Sequence, residues 1–228
     1  MAQRRIGILG GSFNPPHRGH LKMAETAHSR LKLDQVWLMV SPQNPLKLET
    51  DMAPLADRMA MCTLLAADKP WLTATDIESR LNTQFTADTL KQLTRQYPND
   101  IFFWLMGDDN LKTFHKWHNW QDIAALAPLV VFRRSGDDAA LISPAAEALK
   151  DHQVAPDSPT DSSTETPPSW RLMDNDPIPA SATDARENVR EKPANTAHIL
   201  TPDVADYIKQ NGLYAQKDLP EAAAHSKA

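Results

Sequence analysis

The sequence predicts an α/β fold, a Rossmann-like open parallel sheet with helices on both faces, and three observations carry the prediction. Continuous apolar runs at Val36–Ser41, Ile101–Met106 and Leu129–Phe132 have the length and composition of strands covered on both sides. Segments of helical periodicity separate them. The first apolar run, at Ile6, Ile8 and Leu9, leads through Gly10-Gly11 into a helix, and strand, glycine turn, helix is a layout that handles phosphate.

The 228 residues, 41% of them hydrophobic, suffice for one domain with a real core. We expect a single domain over residues 1–214, a variable Pro/Ser/Thr-rich excursion at about 135–179, and a flexible tail at 215–228. The net charge of -5 argues against a nucleic-acid or anionic-membrane partner, which needs a basic face. Cys62 stands alone in an apolar helical run, so no disulfide is expected and a packing role is. Arg4 and Arg5 precede too few apolar residues for a secretory signal, and Ile123–Phe132 is too short to span a bilayer; the expectation is a cytoplasmic protein.

The stretch from Ile6 to His20 organises the chain. Four of the seven glycines fall within the first nineteen residues of the chain, where Gly10-Gly11 is expected to stop the strand and let backbone approach a ligand. Pro15 and Pro16 exclude the dinucleotide glycine fingerprint, and no Gly-Lys-Ser/Thr follows to make a P-loop. His17 and His20 instead stand three apart at the first turn of a helix running to about Leu31. Ala24, Ala27 and Leu31 continue the stripe that His20 begins, so both imidazoles are expected beside the positive helix end. A structural histidine pair at a capped helix is the bland alternative. A metal site is weaker still, because no further ligand lies nearby, and no resident metal is assigned.

The later elements follow in order. Pro42–Leu48 is a proline-punctuated loop at a strand's carboxyl end, where Lys47 either offers a charge to phosphate or is simply solvated. Ala53–Lys69 reads as a helix with Leu55, Met59, Cys62 and Ala66 on its buried stripe, and Trp71–Thr75 as a short strand. Asp76–Gln84 is expected to be a polar loop, with Thr86 then capping a helix that ends near Tyr97. After the strand Ile101–Met106, Gly107-Asp108-Asp109 either holds ribose hydroxyls or magnesium water, or caps a helix. Trp117 and Trp120 lie in a segment dense in aromatics and imidazoles. Trp170–Met173 returns as a strand. Ser181-Ala-Thr-Asp-Ala-Arg186 places hydroxyls at Ser181 and Thr183 before a helix, with Arg186 one turn in, a pattern able to hold phosphate. Asp203–Gln210 closes the fold with a glycine cap.

Gly10-Gly11-Ser12-Phe13-x-Pro15-x-His17-x-Gly19-His20, combined with Ser181-x-Thr183-x-x-Arg186, resembles the nucleotidyltransferase superfamily with the H-x-G-H motif, and within it the bacterial nicotinate-nucleotide adenylyltransferases. The resemblance implies adenylyl transfer from ATP to nicotinate mononucleotide, with Mg2+ arriving with ATP. It implies His17, His20 and Arg186 as the catalytic set. Gly10, Gly11, Ser12, Phe13, Lys47, Ser181 and Thr183 would bind ATP, and Thr86, Asp88, Asp109 and Trp117 the mononucleotide, Trp117 by stacking on the pyridine ring. Departures are Leu46 where the family often has histidine, Phe85 for tyrosine, and Ala180 and Ala182 beside Ser181. A sister enzyme using nicotinamide mononucleotide or phosphopantetheine, and a non-catalytic nucleotide sensor, are the alternatives; a homo-oligomer is compatible with either.

Overall fold

The computed structural model describes residues 3–42, 52–133, 138–158, 165–174, 180–192 and 195–215. Six parallel strands form one sheet in the order β3-β2-β1-β4-β5-β6: β1 (Arg5–Gly11), β2 (Gln35–Val40), β3 (Leu72–Thr75), β4 (Ile101–Gly107), β5 (Leu129–Phe132) and β6 (Trp170–Met173). The order reverses between β1 and β4. In an open α/β sheet that is the place where a crevice opens beyond the carboxyl ends of the strands.

Alternation along each strand separates two cores. On β4, Phe103 and Leu105 join one apolar cluster while Phe102, Trp104 and Met106 join the other; on β2, Val36, Leu38 and Val40 face the first cluster and Met39 the second. Successive side chains on a strand point to opposite faces, so a continuous apolar run is what a two-faced core requires. The first face is covered by α1 (Arg18–Leu31), α2 (Leu55–Ala66), α8 (Ala182–Glu191) and α9 (Pro202–Gln210). The second is covered by α4 (Thr86–Gln96), α5 (Asp108–Thr113), α6 (Trp120–Leu126) and α7 (Pro144–Ala148).

Several expectations are corrected. The segment after β3 is not a plain loop: Ile77–Leu81 forms a short helix, α3, because Ile77 and Glu78 are buried against the sheet and Asn82 ends the turn in the left-handed region at φ 52°. The cap of α4 is Phe85, not Thr86, which is already the first helical residue. On α2 the buried stripe is Arg58, Met61, Cys62, Leu65 and Ala66, with Leu55 and Met59 only partly covered. Met61 and Leu65 alternate with Arg58 at one-turn spacing, and the charge at Arg58 masks that stripe in the sequence. Part of the expected surface excursion is core: Ala140, Ala145, Ala146 and Trp170 are all at least 97% buried. Its Ser/Thr-rich centre at 159–164 and the tail beyond 215 lie outside the described residues. Cys62 is fully buried, as its packing role requires, and burial pushes its thiol far up from its ordinary range. The last helix ends with Gly212 at φ 60°, where the Leu213 N–H donates to the Ile208 carbonyl. No helix among the described residues is long and apolar enough to cross a membrane.

Candidate active site

β1 does not stop at Gly10: both glycines belong to the strand, which runs to Gly11. The sharp turn falls at Phe13, φ 48°. Gly10 is a glycine because a Cβ there would lie 2.5 Å from Cη2 of Trp104 on the neighbouring strand, closer than packed atoms tolerate. Two residues beyond the Leu9–Leu105 pairing stand Gly11 and Gly107, so the two glycine-bearing strand ends sit side by side at the switch point.

The turn delivers His17 to the N-cap of α1 and His20 to its first turn. The rings stack with centroids 3.7 Å apart and 29° between planes; His17 is buried and His20 half-buried. The His17 backbone N–H donates to His20 Nδ1 at 3.2 Å. In a neutral ring that contact puts the His20 proton on Nε2, which is therefore a donor. Phe13 lies 1% exposed with its ring 4.8 Å from that of His20, so the structure uses its side chain as a backing for the histidine rather than as a cleft wall. The helix start is not a bare cradle of N–H groups. Arg18 N–H donates to the Ile199 carbonyl at 2.8 Å and His20 N–H to the His17 carbonyl at 2.9 Å, so the helix contributes its positive end more than unused donors.

The carboxyl-terminal motif comes to the same loop. A Cβ on Gly19 would stand 2.9 Å from His17 Nδ1 and 3.4 Å from the Ala180 carbonyl oxygen, so the glycine between the histidines lets the segment before α8 approach α1. Ser181 caps α8, its Oγ accepting from Asp184 N–H at 3.0 Å. Thr183 lies inside the first turn, exposed, rather than ahead of the helix. From α8, Arg186 Nη1 donates to the Asn14 carbonyl at 2.7 Å.

Behind the loop sits a buried cation that the sequence did not announce. Arg58 is 1% exposed and donates from Nε to the Ala53 carbonyl at 2.9 Å, from Nη1 to the carbonyls of Ser12 and Ser41 at 2.7 Å each, and from Nη2 to that of Pro42 at 2.8 Å. One guanidinium thus ties the ends of β1 and β2 to the start of α2. Its i,i+3 and i,i+4 apolar neighbours were the available signal. Ser12 is half-buried on this loop; Lys47 lies outside the described residues.

On the other side of the switch point the aromatics form a chain. Trp117 packs edge-on against Trp104 at 6.1 Å and against Phe114 at 5.4 Å, and Trp104 is the ring beneath Gly10. Phe85 stacks on His118 at 4.3 Å, bringing the start of α4 and half-buried Thr86 to the Trp117 segment. Trp120 packs on Phe114. Asp109 is exposed in the first turn of α5, with Gly107 rather than a carboxylate as cap, and Asp108 is buried beside it. Asp88 is exposed and lines a surface cavity of about 480 Å³ with Lys91 and Arg95. Among the described residues no three His, Cys, Asp or Glu stand together as a metal cage.

Comparison with known proteins agrees with this geometry. The Cytidylyltransferase-like family model matches residues 8–188, from β1 into α8. A Parvibaculum lavamentivorans protein named "Probable nicotinate-nucleotide adenylyltransferase" is 42% identical over 184 residues, 80% of this chain and 91% of that one. An Agrobacterium fabrum protein of the same name is 39% identical over 184 residues, 80% of this chain and 98% of that one. Among solved structures, nicotinic acid mononucleotide adenylyltransferase of Plasmodium falciparum, in complexes with APC and with NaAD, shares the fold at a TM-score of 0.70 and 18% identity, covering 93% of this chain and 98% of that one. Matched across most of its length both by the family model and by these relatives, the chain belongs to the cytidylyltransferase-like family and, within it, to the nicotinate-nucleotide adenylyltransferases.

Proposed function

We propose that the protein transfers the adenylyl group of ATP to nicotinate mononucleotide, releasing pyrophosphate and forming nicotinate adenine dinucleotide. The observation that carries this reading is the meeting of two distant motifs at one strand crossover: the stacked pair His17 and His20, and Arg186, hydrogen-bonded to Asn14 three residues before His17.

The attacking atom is a phosphate oxygen of the mononucleotide. A phosphomonoester with a second pKa of about 6 is mostly dianionic at neutral pH, so no general base is needed. The oxygen forms its bond to the α-phosphorus of ATP as the bond from that phosphorus to the β-bridging oxygen breaks, and pyrophosphate leaves with the electron pair. The protein's part is to hold the three centres in line and to neutralise the charge that gathers on the phosphates. His20 Nε2–H supplies a donor at the helix end, with His17 stacked against it. Arg186 reaches the β- and γ-phosphates beside Ser181 and Thr183, and Ser12 with the Gly10-Gly11 backbone lines the approach. Lys47 adds a charge from the loop after β2. Magnesium enters on the ATP phosphates, as part of the substrate.

Trp117, already fixed edge-on by Trp104 and Phe114, offers a ring face to the pyridine, while Thr86, Asp88 and Asp109 serve the rest of the mononucleotide. The test is turnover of the purified chain with MgATP and either nicotinate or nicotinamide mononucleotide, following pyrophosphate and the mass of the dinucleotide. The acid is expected to exceed the amide in kcat/KM by at least about tenfold, ~1.4 kcal/mol of discrimination. Preference for the amide would move the protein to a sister specificity, and ATP binding without pyrophosphate release would make it a sensor.

A further inference from the structure

Asn14, 1% exposed, is a junction between three parts of the chain far apart in sequence. Its side-chain oxygen accepts the Tyr214 hydroxyl at 2.8 Å and the Ala53 N–H at 2.9 Å, and its backbone carbonyl accepts Arg186 Nη1 at 2.7 Å. Tyr214 is held in turn: Arg190 Nε donates to its carbonyl at 3.2 Å. Arg186 and Arg190 are four residues apart on α8, hence on one helix face. The bonds therefore close a ring, from Asn14 to Arg186, along one helical turn to Arg190, on to Tyr214, and back through the phenol to Asn14.

The ring has a directional consequence. A guanidinium is planar, so fixing one Nη and the stem also fixes where its other N–H groups point. Asn14 belongs to the same loop as Ser12 and His17, so whatever orients Asn14 sets the spacing between that loop and Arg186. Burial pushes the Tyr214 hydroxyl well above the ordinary phenol range, keeping it protonated and able to donate.

We propose that Tyr214 is a positioning residue for adenylyl transfer, its hydroxyl acting through Asn14 to hold Arg186 in register with the His17/His20 loop. The inference rests on the assignment of Arg186 to the triphosphate made above. A purely structural tyrosine after the last helix would contribute to stability and nothing else.

The experiment is Tyr214→Phe in the full chain, which keeps the ring and deletes the single donor. Steady-state kinetics with ATP and nicotinate mononucleotide varied separately are expected to show kcat reduced by about tenfold, with KM for the mononucleotide within about twofold of the parent. A double-mutant cycle with Arg186→Ala separates positioning from stability: once Arg186 is gone, Tyr214→Phe is expected to cost less than about twofold further. Thermal unfolding of each variant identifies losses that reflect folding alone. Kinetics for Tyr214→Phe within twofold of the parent, or a loss of the same size with and without Arg186, would overturn the proposal. If the parent itself released no pyrophosphate with the mononucleotide, the functional reading would fail first and Tyr214 would have no reaction to position; a working parent with an indifferent Tyr214→Phe sinks this inference alone.

Discussion

At His20 of the H-x-G-H motif, the hydrogen bond to Nδ1 decides which ring nitrogen of the neutral imidazole is the donor. Because Nδ1 accepts the His17 N–H, Nε2 carries the proton that a developing phosphate charge can draw on. In the proposed mechanism this donor's contact strengthens in the transition state, so His20→Ala is expected to lower kcat by about 10²–10³-fold while KM for nicotinate mononucleotide moves less than about twofold. Steady-state kinetics decide it, and a parallel loss of mononucleotide affinity would contradict the role. At this scale the sequence is legible where chemistry and backbone geometry coincide: His17, Gly19 and His20 stand out together, and a Cβ on Gly19 would meet the Ala180 carbonyl oxygen at 3.4 Å. Asn14, Arg58 and Tyr214 do not, because each acts through backbone carbonyls or a distant amide. Nothing in the spacing of a lone Asn, Arg or Tyr says which carbonyl it will meet 46 or 200 residues away.

Among the elements, strands were read more surely than helices, since an apolar run buried on both faces is its own signature while a short helix is decided by tertiary contacts. α3 shows the difference. Its polar composition reads as loop, yet Glu78 is 3% exposed on it and shares a hydrogen bond with Ser41 at the end of β2. Burial raises the Glu78 carboxyl from 4.5 to about 6. Below the ordinary value the group is protonated in folded and unfolded chains alike. Between there and about 6 the folded chain keeps a proton that the unfolded chain has released, so stability falls as pH rises through that window and stays lower above it. The whole fall amounts to about 2 kcal/mol at ~1.4 kcal/mol per unit. Glu78→Gln, which resembles the protonated form, is expected to remove most of it. Urea unfolding at pH 4.5 and 7.5 should show the variant gaining on the parent at the higher pH alone, and equal gains at both would discard this account.

Across the whole molecule, two arginines brace opposite ends of the sheet. Arg5, at the amino end of β1, grips Glu165 with both Nη atoms at 2.5 Å and donates to the Leu31 carbonyl at 2.7 Å, tying the first strand to the close of α1 and to the segment before β6. Arg58 performs the same kind of bracing at the carboxyl ends of β1 and β2, where the loop that carries Ser12 and His17 begins. If function resides at the switch-point edge, breaking the two should have different signatures. Glu165→Gln leaves a partly buried guanidinium short of its counter-charge, a loss of about 2 kcal/mol that lowers Tm by about 5 °C in a chain of this size, with kcat and both KM values expected to be unchanged. Arg58→Lys keeps the charge but a single ammonium cannot span four carbonyls in a planar fork. It should cost at least as much stability and also reduce kcat by tenfold or more, about what misplacing one transition-state donor does. Melting curves and kinetics on the two variants side by side test that difference. An Arg58→Lys enzyme that is destabilised yet turns over at the parental rate would mean the loop's geometry survives without its brace, and the link drawn from α2 to the chemistry would have to be given up.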